Sequence, residues 1–467
     1  MSKVVAISDQ ELVMKYASYP EYKNSGIEWI GALPNTWEVV PVKRWFSEPP
    51  CYGVLKPDKY DGEDGVPLIR IMDVTADGKI SDINALDAIS PSLSVEFRRT
   101  IIKKGDLIVS VVGTLGRSFI CTDSLERMNL SRALARLQVS DLSTTKYLQY
   151  VIGSKVFEDY VGVTCTGAAQ KVLNLEDVCN WSIPSPPYEH RETISAFLDF
   201  ETARIDKLII HQQRLIDLLQ EKRQALISRA VIKGLNPNAV MKKSGIEWFG
   251  QVPEHWDASQ LKYIVKLGTS ITYGIVQAGP HIEDGIPYIK TSDMSGTKLP
   301  LDGYSKTSPE IDASYSRSKV YSGDLVIAIR ATVGKCHIVP DAINGANLTQ
   351  GTAKISPSKK ITSEFLHLLI MSSPVQLYFD ANAKGATFRE ITLEMLRRTP
   401  IVIPPLSEQK LICEYINKTV SIYDRLISKC EFKISLLVER RAALISAAVT
   451  GKIDLRGWKP PAEEAAA

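Results

Sequence analysis

The chain has 467 residues, room for about three average domains, and its 44% hydrophobic and 23% charged composition is that of ordinary globular proteins. A net charge of +3 does not by itself announce a nucleic-acid binder, although basic loops on one face can be balanced elsewhere. Seven scattered cysteines without a C-x-x-C pair, no run near the ~18 apolar residues of a membrane span and no signal-peptide core exclude a zinc ribbon, a disulfide framework and a membrane anchor; a reducing cytoplasm is the expected location.

In chain order, the first strong signal is Ser25-Gly26-Ile27-Glu28-Trp29-Ile30-Gly31, followed by Pro34 and Trp37. It recurs as Ser244-Gly245-Ile246-Glu247-Trp248-Phe249-Gly250 with Pro253 and Trp256, eight of thirteen positions being identical. The match continues at a nearly constant offset. Gly65-Val66-Pro67 pairs with Gly285-Ile286-Pro287, Gly105-Asp106-Leu107-Ile108-Val109 with Gly323-Asp324-Leu325-Val326-Ile327, and Thr114-Leu115-Gly116-Arg117 with Thr332-Val333-Gly334-Lys335. Asn129-Leu130 pairs with Asn347-Leu348, Gly167-Ala168 with Gly385-Ala386, and Pro186-Pro187 with Pro404-Pro405. The chain is an internal duplication.

Within each copy, β-branched apolar runs after a Gly-Asp turn (Leu107 to Val112, Leu325 to Ile329) predict buried strands, and the Pro-Pro pairs end a strand. The period then changes. Ile194, Leu198, Ile205, Leu208, Leu215, Leu219 and Leu226 predict one seam of a long helix ending at Gly234. Ile412, Ile416, Tyr423, Leu426, Cys430, Leu437 and Leu444 predict a second, ending near Gly451. Helices of ~45 residues would be about 65 Å long, and a single apolar stripe wants a partner, the nearest being the antiparallel duplicate. The expected fold is mixed α/β: two tandem duplicated domains separated by two long antiparallel helices forming a coiled coil, with pseudo-twofold symmetry. The boundaries are a first domain over 1–187, a central helix over 188–234, a second domain over 235–405, a C-terminal helix over 406–452 and a tail over 453–467.

No catalytic constellation emerges. H-E-x-x-H, G-x-S-x-G and Walker A patterns are absent, and the glycines spell no dinucleotide fingerprint. Ser185-Pro186-Pro187-Tyr188 fits the S/N/D-P-P-Y/F motif of amino-methyltransferases. Its duplicate reads Ile403-Pro404-Pro405-Leu406, no cofactor loop accompanies it, and Pro at a helix start explains it. Trp29, Trp37, Trp248 and Trp256 read as packing residues at each domain entrance.

Loop side chains differ while the frame repeats, as a sequence reader would vary. Candidate DNA contacts in the first copy are Tyr52, Arg70, Arg117, Arg132, Gln170 and Lys171. In the second they are Tyr273, Lys290, Arg330, Lys335, Gln350 and Arg389. Arg and Lys suit guanine edges, Gln suits adenine, and any of the three can hold phosphate.

Taken together, the S-G-I-E-W-x-G-x-x-P-x-x-W opener, the G-D-L-I-V strand with its G-T-L-G-R or A-T-V-G-K turn, the P-P helix entrance and the ending Ala447-Ala448-Val449-Thr450-Gly451-Lys452-Ile453-Asp454 resemble the specificity subunits of type I restriction-modification systems. The likeness covers residues ~20 to ~455. It implies two target recognition domains, each reading half of a split, asymmetric double-stranded DNA site, and helices that set the spacer. It also implies two modification subunits carrying S-adenosylmethionine, and restriction subunits using ATP and Mg. This chain would itself bind no cofactor and catalyse nothing. A modification-only assembly, a stand-alone DNA methyltransferase and a coiled-coil scaffold are the alternatives. Pro404-Pro405-Leu406-Ser407-Glu408-Gln409 matches the family's P-P-L-x-E-Q entrance; Pro186-Pro187-Tyr188-Glu189-His190-Arg191 departs from it.

Overall fold

The computed structural model describes residues 16–75, 78–165, 171–385 and 389–461. Two compact units result, one drawn from residues 1–213 and 432–467, the other from 214–431.

The strands of unit 1 are β1 (Tyr22–Asn24), β2 (Ala32–Pro34), β3 (Glu38–Pro41), β4 (Phe46–Tyr52), β5 (Val66–Ile69), β6 (Ala88–Ile89), β7 (Leu107–Ser110), β8 (Ser118–Ile120), β9 (Asn129–Leu130), β10 (Leu134–Val139) and β11 (Ser182–Ser185). Its main sheet has the antiparallel order β4-β10-β7-β8, and a smaller one the order β6-β5-β9, in which β5 and β9 run parallel. β7 is buried at every position, as its Leu-Ile-Val-Ser sequence demands. The turn before it needs Gly105, whose φ of +89° lies in the left-handed region, and Asp106, whose carboxylate accepts the Lys103 N–H at 2.7 Å.

Unit 2 repeats this plan with β12 (Met241–Lys243), β13 (Gln251–Pro253), β14 (Asp257–Gln260), β15 (Thr272–Tyr273), β16 (Ile286–Ile289), β17 (Lys306–Thr307), β18 (Leu325–Ala328), β19 (Cys336–Ile338), β20 (Asn347–Leu348), β21 (Thr352–Ile355) and β22 (Pro400–Ile403). Its sheets have the orders β15-β21-β18-β19 and β17-β16-β20. The sequence repeat is therefore a repeat of topology.

The central helix spans Tyr188–Lys233 and the C-terminal helix Leu406–Val449. Gly234 and Gly451, both at positive φ, follow their last turns. Each helix contributes to both units. In unit 1, Ile194, Phe197 and Leu198 from the start of the central helix share a core with Leu444, Ile445 and Val449 from the end of the C-terminal helix. In unit 2, Ile412 and Ile416 share a core with Ile227 and Val231. Early residues of one helix meet late residues of the other, so the pairing in each unit is antiparallel. The ion pairs Asp206–Arg441 (3.1 Å, unit 1) and Arg223–Asp424 (3.0 Å, unit 2) follow the same sense.

One part of the expected seam is corrected. Leu208, Leu215 and Leu426 are 38%, 42% and 41% exposed, while Ile216 is buried and Ile209 half-buried. The inward stripe of the central helix continues from Ile205 through Ile209, Gln212 and Ile216, placing a polar residue in it. The leucines form a second, outward stripe one position round the helix. Periodicity predicted a single seam that ran from one stripe into the other, because both repeat at the helical period.

Trp37 and Trp256 are wholly buried at the domain entrances. Each lies against the glycine that ends a long helix: a Cβ at Gly234 would stand 3.2 Å from Trp256, and one at Gly451 3.3 Å from Trp37. The end of each long helix thus docks on the opening motif of the other repeat.

Candidate nucleic-acid interface

In unit 1 five segments converge at one end of the main sheet. They are the end of β4, the end of β5, the turn 111–117 between β7 and β8, the turn 131–133 between β9 and β10, and residues 171–173. Backbone hydrogen bonds tie them together. The Ser131 N–H donates to Ile69 O (2.9 Å), Arg132 N–H to Val54 O (2.9 Å), Val111 N–H to Ala133 O (2.9 Å) and Leu173 N–H to Val111 O (2.9 Å). Unit 2 makes the equivalent set from Thr349 to Ile289 (3.1 Å), Gln350 to Ile275 (2.9 Å), Ile329 to Gly351 (2.9 Å) and Ile391 to Ile329 (3.0 Å). Gly53 and Gly274 are required here, since a Cβ would overlap the carbonyl oxygens of Leu130 and Leu348. The backbone is thus a fixed platform with exposed tips at Thr114 and Thr332.

Most candidate side chains on this platform are already engaged. Arg70 pairs with Asp87 at 2.5 Å and Asp73 at 3.5 Å, and Lys290 donates to Ser305 Oγ at 2.8 Å. Arg117 donates to Val74 O at 2.8 Å, and its counterpart Lys335 donates to Ser295 O. Tyr52 packs on the core and its hydroxyl accepts the Leu175 N–H at 3.0 Å, whereas Tyr273 is 43% exposed. Arg330 forms an ion pair with Glu390 at 3.0 Å, and Arg389 donates to Asp380 at 2.9 Å. Arg132 and Lys171 are exposed and Gln350 is half-exposed; none of these three side chains has a hydrogen-bond or ion-pair partner among the described residues. Gln170 lies outside the described residues.

Sequence reasoning missed the acidic partners Asp87, Asp380 and Glu390; Glu390 is adjacent to Arg389 but pairs with Arg330, so neighbourhood in sequence did not reveal it. It also missed Ala331. This residue adopts φ +60° where unit 1 has Gly113 at +79°, and it donates its N–H to Arg389 O as Gly113 does to Lys171 O. A non-glycine residue in that region marks backbone strain held at a loop of the platform.

The apparent methyltransferase motif is used structurally. Ser185 is buried at the end of β11, and the Arg191 guanidinium bonds Pro186 O (3.1 Å) and Ser185 Oγ (3.3 Å) while lying 4.4 Å over the Trp45 ring. Among the described residues no group of three or more His, Cys, Asp or Glu side chains could hold a metal ion, and no helix is long and apolar enough to cross a membrane.

Residues 253–430 match the family model described as the type I restriction modification DNA specificity domain. This region thus matches the family's specificity domain, and the chain is similar over most of its length to type I specificity subunits. It is 24% identical over 403 residues to the type I restriction enzyme EcoBI specificity subunit of Escherichia coli, covering 85% of this chain and 82% of that one. It is also 24% identical over 375 residues to the MjaVIII specificity subunit of Methanocaldococcus jannaschii, covering 79% and 83%. A chain solved in work on complex assembly and conformational transition of the type I R-M system shares the fold. Its TM-score is 0.66 at 17% identity, over 89% of this chain and 98% of that one. Specificity subunits of this family are DNA-recognition components, and the duplicated mixed α/β units with paired long helices agree with that class.

Proposed function

We propose that this specificity subunit reads a split, asymmetric double-stranded DNA site, one half with the platform of each unit. The supporting observation is the duplicated loop cluster, in which equivalent backbone hydrogen bonds hold different polar side chains. Equal frames suit two half-sites, and unequal side chains suit unequal sequences. Arg330–Glu390 and Arg389–Asp380 are solvent-exposed pairs, worth only about 0–1 kcal/mol each, so their guanidinium groups can be exchanged onto phosphate at little cost.

The outward stripes of the long helices support a second role. Leu208, Ile210, Leu215 and Leu218 on the central helix and Ile422, Leu426, Phe432 and Val438 on the C-terminal helix are exposed apolar residues. Two modification subunits bringing S-adenosylmethionine are the occupants this reading assigns to them, with restriction subunits using ATP and Mg joining that assembly in the cytoplasm. The chain itself contributes recognition and no catalysis. The helices set the length of unread DNA.

Methylome sequencing of cells carrying this chain with a modification subunit tests the reading. The expected result is methylation in a bipartite motif with two different halves. A continuous or palindromic motif overturns it, as does methyl transfer by the purified chain alone with S-adenosylmethionine.

A further inference from the structure

The two platforms can be compared position by position, asking where a side chain is free in both. At the Arg70/Lys290 and Arg117/Lys335 positions both copies are engaged. At Tyr52/Tyr273 and Lys171/Arg389 one copy is engaged. At Val112/Arg330 one copy is apolar and the other ion-paired. Only at Arg132/Gln350, among the described candidate pairs, are both side chains unengaged.

The backbone at this position is pinned by hydrogen bonds in both units. Besides the bonds from residues 131 and 132 to β5 and the segment after β4, the turn is closed by Leu134 N–H to Ser131 O (2.9 Å). The copy in unit 2 closes with Thr352 N–H to Thr349 O (3.1 Å). Arg132 and Gln350 are therefore the second residues of equivalent, pinned turns. A free polar side chain on a fixed backbone loses little freedom when it meets a base edge, which is what a reading residue requires.

The two side chains differ in what they select. A guanidinium presents two N–H groups to guanine O6 and N7, whereas a carboxamide donates to adenine N7 and accepts from its N6 amine. We propose that Arg132 reads a guanine in the half-site of unit 1 and that Gln350 reads an adenine at the corresponding place in the half-site of unit 2. This rests on the half-site reading above and names the residue and base that carry it.

The test is selection of binding sites from a randomised duplex pool by the full-length chain with modification subunits, comparing the original protein with Arg132→Gln and Gln350→Arg. Each variant keeps one unaltered unit, so continued reading of the other half-site reports that the protein is folded. The original protein is expected to select guanine in one half and adenine in the other. Arg132→Gln should lower the guanine preference at a single position by about 5- to 150-fold, and Gln350→Arg should do the same for adenine. An unchanged motif, or a weakening equal across all sequences as for a phosphate contact, overturns the assignment. If the original protein selects no bipartite motif, the half-site reading itself fails.

Discussion

Arg136 of unit 1 and Lys354 of unit 2 occupy equivalent places in the interior strands β10 and β21, both almost fully buried, yet they are neutralised differently. Arg136 Nε meets Asp106 at 2.5 Å and its Nη1 donates to Arg99 O at 3.0 Å. Lys354 donates instead to Lys319 O at 2.7 Å, and burial pushes its pKa down against the opposing pull of Asp324. A rigid guanidinium serves two acceptors at once, while an ammonium on a flexible stem takes what is near.

The helix entrances diverge in the same way. In unit 2 Gln409 is buried and saturated: its Oε1 accepts the Thr362 N–H at 2.8 Å, and its Nε2 donates to Lys360 O (2.9 Å) and Pro404 O (2.8 Å). Glu408 accepts from Trp256 Nε1 at 3.0 Å. In unit 1 His190 and Arg191 replace that pair, and the buried Trp37 Nε1 has no carboxylate acceptor. One backbone plan thus tolerates different polar solutions, including a buried indole N–H left without the carboxylate it has in the other copy.

This contrast can be pressed by mutation, with amide hydrogen exchange reporting each unit separately. The largest expected effect is Arg136→Met, which strands Asp106 in the core and should destabilise unit 1 by about 3–5 kcal/mol. Lys354→Met should cost unit 2 much less, since Lys354 donates to the Lys319 carbonyl and not to Asp324, so its loss breaks no buried ion pair. Equal losses would erase the distinction. Gln409→Ala leaves three backbone groups unpaired and should cost unit 2 about 2–3 kcal/mol. Ala331→Gly relieves the left-handed backbone and should stabilise unit 2 by about 1 kcal/mol, with no benefit possible at Gly113 in unit 1. The smallest contrast is in pH. His337 and His367 stand where unit 1 has Phe119 and Gln149, and burial lowers both imidazole pKa values. The unfolded chain then binds more protons than the folded one as pH falls through 6.5, so acid should loosen unit 2 before unit 1 until the folded histidines also protonate. Identical protection of both units between pH 7.5 and pH 5.5 would refute this.

The spacer reading also has a direct test. Insertions within residues 195–230 that preserve the helix should change the length of unread DNA and leave the recognised bases alone. A change in those bases would break the separation between reading platforms and helices.

Sequence alone determined the duplication, the helix ends at Gly234 and Gly451, the buried β7 and β18 strands and the frame of the loops, because these follow from local period, turn chemistry and repeated motifs. It also nominated Arg132 and Gln350, though only among twelve residues. The tertiary structure decided which loop side chains are free, since Asp87 and Glu390 are distant in sequence from Arg70 and Arg330, the cations they hold. It chose the inward stripe between two helical stripes of equal period. It also placed the end of each long helix in the core that opens the other repeat. Each of these depends on burial and pairing between segments far apart in the chain, which no local pattern encodes.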